Sequence, residues 1–152
     1  MDSSSIDVLL ANHVDTPNGL LYIAGGGIDM FMFPENSVGP WAVSVGLAVS
    51  IKVPWLEMDM DHELLIALID FDGKPVEMRM PNGNLQPIET KIVFGAKRGP
   101  MVEEGADQIL NLGLNFTNLL IPDLGNYIFI FFIDNVEVSR VRFKSTYRTA
   151  NA

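Results

Sequence analysis

The sequence predicts an all-β protein, an antiparallel β-sandwich of about eight to ten strands, with a jelly roll or a small barrel as the alternative. Apolar residues alternate with polar or small ones along most of the chain, and turn-forming residues separate the extended runs. No stretch of about 11 residues or more shows the period of about 3.6 residues that marks an amphipathic helix. We expect at most one helical turn, near residues 56–60 or 102–107. Without crossover helices, most strands should pair locally in antiparallel hairpins.

The clearest alternation lies in residues 41–52, WAVSVGLAVSIK. One face of this segment carries large apolar side chains and the other carries mainly small ones, which is typical of a strand with one buried face. Residues 109–118, ILNLGLNFTN, repeat the pattern, with leucines and Phe116 on one side and Asn, Gly and Thr on the other. These two segments predict two long, half-buried strands.

Turn-forming residues divide the remaining sequence into shorter strands. The tripeptide PNG begins at Pro17 and again at Pro81, and each copy places a residue with fixed φ before two that tolerate positive φ, which suits a tight reversal. Asp72-Gly73 and Asp134-Asn135 each separate two extended runs. They predict two further β-hairpins.

The chain is expected to form a single domain over residues 1–152, with residues 146–152 as a flexible tail. A chain of 152 residues is long enough to bury a core without a metal or a disulfide. Its hydrophobic content of 48% exceeds what a small monomer needs. Part of the apolar surface is therefore expected in a subunit interface.

Charge and cysteine content disfavour several classes of function. With 10 Lys and Arg against 19 Asp and Glu, the net charge of -9 repels nucleic acids and anionic lipids. The absence of cysteine removes disulfides, thiol catalysis and thiolate metal sites. The first residues lack the features of a secretory signal, and the longest apolar run is far shorter than the ~20 residues that cross a bilayer. We expect a soluble, cytoplasmic protein that binds neither nucleic acid nor membrane.

The glycine run at residues 25–27 raises the question of a phosphate-binding loop. Such a loop delivers the chain to a helix N-terminus, where free N–H groups meet the anion. Here the sequence continues as IDMFMFP, a short extended segment with no lysine and no Ser or Thr placed for a metal. We interpret the run as a bulge or sharp corner where backbones approach closely.

One set of candidate metal ligands contains both histidines. The spacing of His13 and Asp15 puts both side chains on one face of a strand, and His62 would complete a set of two histidines and one carboxylate, typical of iron oxygenases. Ordinary surface or turn-capping roles are the alternative.

A second candidate metal site lies in the acidic run EMDMDHE, residues 57–63. Asp59, Asp61 and Glu63 occupy alternate positions, a spacing at which carboxylates in a loop can bind calcium. The fixed glycine of an EF-hand loop is absent, and a solvated connection is the alternative. We predict no cofactor.

In the run YIFIFFI, residues 127–133, the odd-numbered and the even-numbered residues are all apolar. A strand formed by this run therefore needs cover on both faces. One face packs on the core, and the other requires the chain's own loops or another subunit. The interface candidates on this strand are Tyr127, Ile128, Phe129, Ile130, Phe131 and Phe132.

The strand that follows this run carries a basic stripe. Arg140, Arg142 and Lys144 share one face, and Arg148 follows. Arg140 and Arg142 are further interface candidates, because the stripe suits an anionic partner or an acidic loop of another copy. The alternative is that these residues pair across strands with neighbouring carboxylates.

No set of serine, histidine and acid, and no carboxylate pair in a credible pocket, can be assembled from the sequence. The predicted function is therefore a non-enzymatic β-sandwich that binds a protein partner or assembles with itself. The alternatives are a metal-binding or ligand-binding β-barrel, including a metalloenzyme, and a calcium-dependent binding domain.

Several segments resemble a widespread family of uncharacterised bacterial proteins. Residues 18–28, NGLLYIAGGGI, resemble the family signature "NGKLYILGGGW", with Leu20 where a lysine is common and Ile28 where a tryptophan often follows. The tripeptide VPW, the segment LIDFDGKPV and the closing LGNYIFIFFIDNVEVSRVRF are similar to further parts of the family pattern. The resemblance implies a compact β-rich domain whose glycine run belongs to the fold, and it implies no catalytic residues.

Overall fold

The computed structural model describes residues 5–149, which contain twelve β-strands and two short 3-10 turns, at Pro17–Gly19 and Trp55–Glu57. The strands in chain order are β1 (Ile6–Ala11), β2 (His13–Asp15), β3 (Tyr22–Ala24), β4 (Met30–Phe33), β5 (Trp41–Val53), β6 (His62–Asp70), β7 (Glu77–Arg79), β8 (Leu85–Pro87), β9 (Glu89–Phe94), β10 (Gln108–Ile121), β11 (Gly125–Ile133) and β12 (Val136–Tyr147). The predicted all-β class is confirmed. Within these residues, no helix is both long and apolar enough to cross a membrane.

Two sheets form the sandwich. One has three strands in the order β1-β5-β10, and the other has five in the order β4-β12-β11-β6-β9. Neighbouring strands are antiparallel except for β4, which pairs in parallel with β12. This pairing joins two ends of the chain that are far apart in sequence, so it departs from the mostly local pairing that the turns predicted. Two small hairpins, β2-β3 and β7-β8, complete the fold.

The hydrophobic core lies between the two sheets. The large apolar face of β5 is buried, as its alternation predicted, and Leu47, Val49 and Ile51 are each fully buried there. Aromatic rings fill the space opposite, where Phe116 of β10 stacks on Phe129 of β11 at a centroid distance of 5.6 Å. Each large apolar side chain buried in this way contributes about 1.5 to 3 kcal/mol to the free energy of unfolding. The core therefore holds the two sheets face to face.

The small-residue face of β5 is covered by the β2-β3 hairpin. Val14 of β2 is buried against Ala11 and Ala48. Added Cβ atoms on Gly46 and Gly113 would lie 3.0 and 2.9 Å from the methyl carbons of Val14, which is too close for either to be tolerated without a shift. The small residues are thus required because a second strand crosses this face at close range.

The side-chain amide of Asn115 in β10 holds the hairpin in place. The backbone N–H of Val14 donates to Oδ1 of Asn115 at 3.0 Å, and Nδ2 of Asn115 donates to the carbonyl of Val14 at 2.8 Å. Near the hairpin's turn, Nδ2 of Asn111 donates to the carbonyl of Gly19 at 3.0 Å. Both asparagines project from the outer face of β10. Their side chains bind backbone groups of the segment that crosses this face, so the hairpin is attached without backbone pairing to β10.

The glycine run forms a corner between the hairpin and β4. Gly25 and Gly27 have positive φ values of 65° and 87°, and a Cβ on Gly25 would collide with the side-chain amide of Asn12. The N–H of Gly27 donates to the carbonyl of Leu10 at 2.7 Å. After this corner the chain continues as β4 of the five-stranded sheet, and no helix lies between the glycines and β4 in the described residues. This agrees with the interpretation of the run as a corner.

The end of the chain differs from the prediction of a tail over residues 146–152. Strand β12 continues through Tyr147, whose hydroxyl donates to the carbonyl of Ser37 at 3.0 Å. The N–H of Arg148 donates to the carbonyl of Phe33 at 2.7 Å. Pairing with β4 therefore orders the start of this segment, a contact that local composition does not reveal. Residues 150–152 lie outside the described residues.

The Asn115 tether leads to a stability prediction. Asn115→Ala leaves the N–H and carbonyl of Val14 without their partners on a partly buried surface, and we expect a loss of about 1 to 3 kcal/mol in the free energy of unfolding. Urea denaturation monitored by circular dichroism measures it. Asn126→Ala, in β11, is the control, because the side chain of Asn126 has no hydrogen bond in the described part of the chain. Equal losses in the two variants would contradict the tether.

Candidate functional site

The outer face of the five-stranded sheet, which points away from the core, is the candidate functional surface. Strand β11 lies in the middle of this sheet, with β12 on one side and β6 on the other. Since alternate side chains of β11 fill the core, the intervening ones project outward, and the register aligns them with outward side chains of β6. The resulting apolar strip consists of Leu65, Ala67, Ile69, Ile128, Ile130 and Phe132.

The apolar strip is half-buried by its own sheet. Ile130 is 7% exposed, and the other five members are partly exposed. Arg140 lies directly opposite Ile130, and Arg142 lies opposite Ile128, so their aliphatic stems flank the strip. In residues 5–149, the extensive contacts of β11 are with its sheet neighbours β12 and β6. The outward side chains of Leu65, Ile69, Ile128 and Phe132 thus keep part of their surface in contact with solvent in the described part of the chain.

The structure corrects three of the predicted interface residues. Tyr127, Phe129 and Phe131 are 3%, 1% and 0% exposed, because they lie on the core side of β11. The hydroxyl of Tyr127 donates to the carbonyl of Asp123, and burial raises the pKa of Tyr127 above its ordinary value. These residues stabilise the sandwich and are inaccessible to a partner. Ile128, Ile130 and Phe132 project from the opposite side of the strand.

The two edges of the apolar strip differ in charge. Along β12, Arg140 forms an ion pair with Glu137 of the same strand. Arg142 and Lys144 have no carboxylate within ion-pair distance in the described part of the chain, which departs from the alternative of cross-strand pairs for the whole stripe. Asn126, opposite Lys144, lines an open cleft together with Asp29, Met30 and these two cations. The β12 edge is thus the basic side of the face.

The opposite edge carries both signs of charge. Glu89 and Lys91 of β9 lie beside Ala67 and Leu65 of β6, respectively. Nζ of Lys91 lies 4.0 Å from a carboxylate oxygen of Glu63, and Glu89 has no cation within ion-pair distance among residues 5–149. The apolar strip therefore runs between a basic edge and an edge that begins with an unpaired carboxylate.

Sequence reasoning found half of this surface. The β6 residues were missed, although LLIALI, residues 64–69, is apolar at both parities in the same way as residues 127–133. The same argument applied to that run would have predicted a second strand that needs cover on both faces. The positions of Glu89 and Lys91 beside the strip depend on the register with β9, which sequence alone does not indicate.

The predicted set of two histidines and a carboxylate does not form. His13 and Asp15 are neighbours on β2, with Nε2 of His13 3.1 Å from Oδ1 of Asp15, and both are exposed. His62 begins β6 in the other sheet, where its ring contacts different partners. The prediction was wrong because sequence spacing does not show that the β2-β3 hairpin lies on the outside of the opposite sheet.

The predicted calcium ligands are also held apart. Oδ1 of Asp59 accepts the backbone N–H of Arg98 at 3.1 Å, and its other oxygen lies 3.8 Å from Nε of Arg98. Glu63 faces Lys91, and Asp61 lies near Gly95. In the described residues, no group of three or more His, Asp or Glu side chains is arranged to hold a metal ion. The alternating carboxylates belong to a turn and the start of a strand, not to one binding loop.

His62 instead joins the start of β6 to the β11-β12 turn and to the 3-10 turn at Trp55–Glu57. It is 4% exposed, Nδ1 donates to Oδ2 of Asp134 at 2.6 Å, and Nε2 donates to the carbonyl of Glu57 at 3.0 Å. The other oxygen of Asp134 accepts the N–H of Glu63 at 2.9 Å. Both partners are acceptors, so the geometry fits the protonated, cationic imidazole, in which both ring nitrogens donate. The β11-β12 turn is thereby fastened to the start of β6.

These contacts shift two pKa values in opposite directions. Burial alone lowers the pKa of His62, but the hydrogen bonds to Asp134 and the Glu57 carbonyl and the nearby negative charges outweigh it, so the pKa is raised above 6.5. Burial alone raises the pKa of Asp134, but the bonds from His62 and Glu63 and the charge of His62 lower it below 3.8. The pair is most stable when both groups are charged.

The His62–Asp134 contact predicts a pH dependence. The stabilisation from His62 is complete below about pH 6.5 and is lost as pH rises through the raised pKa, whereas that from Asp134 is lost as pH falls through its lowered pKa. We expect the urea midpoint to fall between pH 6 and pH 9, and Asp134→Asn to reduce this change and cost about 1 kcal/mol at pH 6. His13→Asn, which removes the exposed histidine, is the control and should keep the wild-type pH dependence. An unaltered profile in Asp134→Asn would contradict the prediction.

Comparison with known proteins agrees with the resemblance noted in the sequence. The profile of a family of unknown function, DUF6941, matches residues 7–145, from β1 nearly to the end of β12. No curated protein and no solved structure gives a significant match. The match covers both sheets and both hairpins of the sandwich. The chain therefore belongs to the DUF6941 family of unknown function.

Proposed function

We propose that this chain is a non-enzymatic module that assembles with itself through the outer face of the five-stranded sheet. The observation that carries the proposal is that two adjacent strands, β6 and β11, are apolar on both faces, and that five of the six outward apolar side chains remain partly exposed. A strand of a two-layer sandwich does not need large apolar side chains on its outer face. Their presence on two neighbouring strands supports a second copy as the missing layer.

The physical gain from covering the apolar strip is hydrophobic. Five of the six contiguous apolar side chains remain partly in contact with water, and each Å² of apolar surface that is buried contributes about 25 cal/mol. Soluble monomers keep exposed apolar patches small, and continuous ones mark interaction surfaces. The hydrophobic content of 48% supports the same conclusion from composition.

The state of the two histidines supports a role without catalysis. Both ring nitrogens of His62 donate to fixed acceptors in the sheet, so this side chain is unable to exchange a proton with a substrate without breaking the contact to Asp134. His13 lies on an exposed two-stranded hairpin beside Asp15. Neither histidine is placed beside a hydroxyl nucleophile in the described contacts.

The proposal predicts a concentration-dependent mass. Size-exclusion chromatography with light scattering should show an oligomer of the wild-type chain, and Ile128→Glu should shift it to the monomer, because a carboxylate in the apolar strip would be desolvated on assembly. Ile109→Glu is the matched control, since Ile109 lies on β10 of the other sheet and is 63% exposed. Circular dichroism checks that both variants fold. A wild-type monomer at every concentration, or equal effects of the two substitutions, would refute the proposal.

A further inference from the structure

We infer that the second copy docks face to face around a two-fold axis that runs parallel to the strands, between β11 and β6. This inference rests on the proposed self-association and specifies its geometry. It is based on how the charges are distributed across the outer face, relative to the apolar strip. In this arrangement β11 of one copy lies over β6 of the other, and β12 lies over β9.

The residues of the outer face form two complete cross-strand rows. The first row runs across β12, β11, β6 and β9 as Arg140, Ile130, Ala67 and Glu89. The second row runs across the same strands as Glu137, Phe132, Leu65 and Lys91. Each row thus has two apolar residues in the middle and opposite charges at its ends, and the sign of the charges alternates from one row to the next.

A two-fold axis along the strands reverses the order of the strands and keeps each row in register. Arg140 then lies opposite Glu89 of the second copy, and Glu137 lies opposite Lys91 of the second copy. Each contact occurs twice by symmetry. Because Arg140 and Glu137 already form an ion pair within one copy, the interface would join four charges of alternating sign at each edge.

The apolar rows are complementary in size under the same operation. Ile130 lies opposite Ala67 of the second copy, so a bulky side chain meets a small one. Phe132 and Ile128 lie opposite Leu65 and Ile69 of the second copy. Alternating large and small side chains is what allows two sheet faces to pack at the usual separation of about 10 Å.

Other symmetric arrangements of the same two faces bring different charges together. A two-fold axis perpendicular to the strands places β12 over β12, and where it passes through Arg142 it sets Arg142 against its own copy and Arg140 against Lys144, which repel. Placed between the two rows, the same axis sets Arg140 against Glu137 and Glu89 against Lys91 of the second copy. In that arrangement a double charge swap at Arg140 and Glu89 gives no rescue, so the experiment below distinguishes it. An axis between β12 and β11 places the cations of β12 over the apolar side chains of β11, where they lose water without gaining a partner. The axis between β11 and β6 is the arrangement that aligns the apolar strip with itself and pairs Arg140 with Glu89.

The size of the surface indicates a weak dimer. Four strands about 4.8 Å apart and about seven residues long cover about 20 by 24 Å, or about 1,000 Å² for both copies together. This area lies just below the range of about 1,200 to 2,000 Å² for stable interfaces. The net charge of -9 on each copy also opposes association. A dissociation constant in the micromolar range, about 1 to 100 µM, is expected.

A charge-swap experiment on the full chain tests the geometry. Sedimentation velocity over about 1 to 500 µM gives the dimer dissociation constant for the wild type, Arg140→Glu, Glu89→Arg and the double variant carrying both changes. We expect each single change to weaken the dimer about tenfold or more, and the double variant to bind about threefold or more tighter than either single variant. Recovery stays incomplete because Arg140→Glu also removes the ion pair with Glu137 within one copy. Both positions are exposed, so the fold should tolerate the changes, and thermal melting verifies this.

Glu89→Arg separates specific pairing from net charge. This change brings the net charge of -9 two units closer to zero, so an effect of overall repulsion alone would strengthen the dimer, whereas loss of the Arg140–Glu89 contact weakens it. Lys52→Glu, on β5 in the other sheet, makes the same charge change as Arg140→Glu away from the face and should leave the dissociation constant within about twofold.

The outcomes distinguish this inference from the proposed function. A wild-type monomer over the whole concentration range overturns both. A dimer that Ile128→Glu abolishes but that neither charge variant weakens supports the proposed face and overturns this geometry. Weakening by both single changes without rescue in the double variant also overturns the pairing of Arg140 with Glu89.

Discussion

The placement of β11 between β12 and β6 is the constraint on which most of the structure depends. Its core-facing aromatic side chains stack against β10 and β12 and hold the two sheets together, with Phe129 contacting both Phe116 and Phe143. Because side chains alternate along a strand, the same placement forces Ile128, Ile130 and Phe132 to the outside. The stability of the core and the apolar character of the outer face are therefore two consequences of one strand.

The outer faces of the two sheets differ in their side chains and in what packs on them. The three-stranded sheet is covered by its own chain, because Gly46 and Gly113 let the β2-β3 hairpin approach and Asn115 satisfies the backbone of Val14. The outer face of the five-stranded sheet carries mainly large apolar side chains, with Ala67 as the small one, and most of them are partly exposed. This contrast within one sandwich supports an intermolecular role for the second face and an intramolecular one for the first.

The charged side chains of the five-stranded sheet lie mainly on either side of the apolar strip, and few of them are buried. The exception is His62, which lies between Asp134 and the carbonyl of Glu57. It fastens the β11-β12 hairpin, which presents the basic edge, to the start of β6. The contact fixes the relative positions of β12 and β6, the strands that flank β11. The proposed pairing of charges with a second copy requires that β12 and β6 keep fixed relative positions.

The sequence by itself determined the all-β class, the long strands at residues 41–52 and 109–118, the corner at the glycine run and the two-sided apolar character of residues 127–133. Each of these follows from local alternation or from backbone preferences at a turn. Only the tertiary structure decided that Tyr127, Phe129 and Phe131 face inward, that His13 and His62 lie in different parts of the fold, and that Glu89 shares a row with Arg140. Those facts depend on strand register and on which sheet each segment joins, and both are settled by contacts between residues that are distant in the chain.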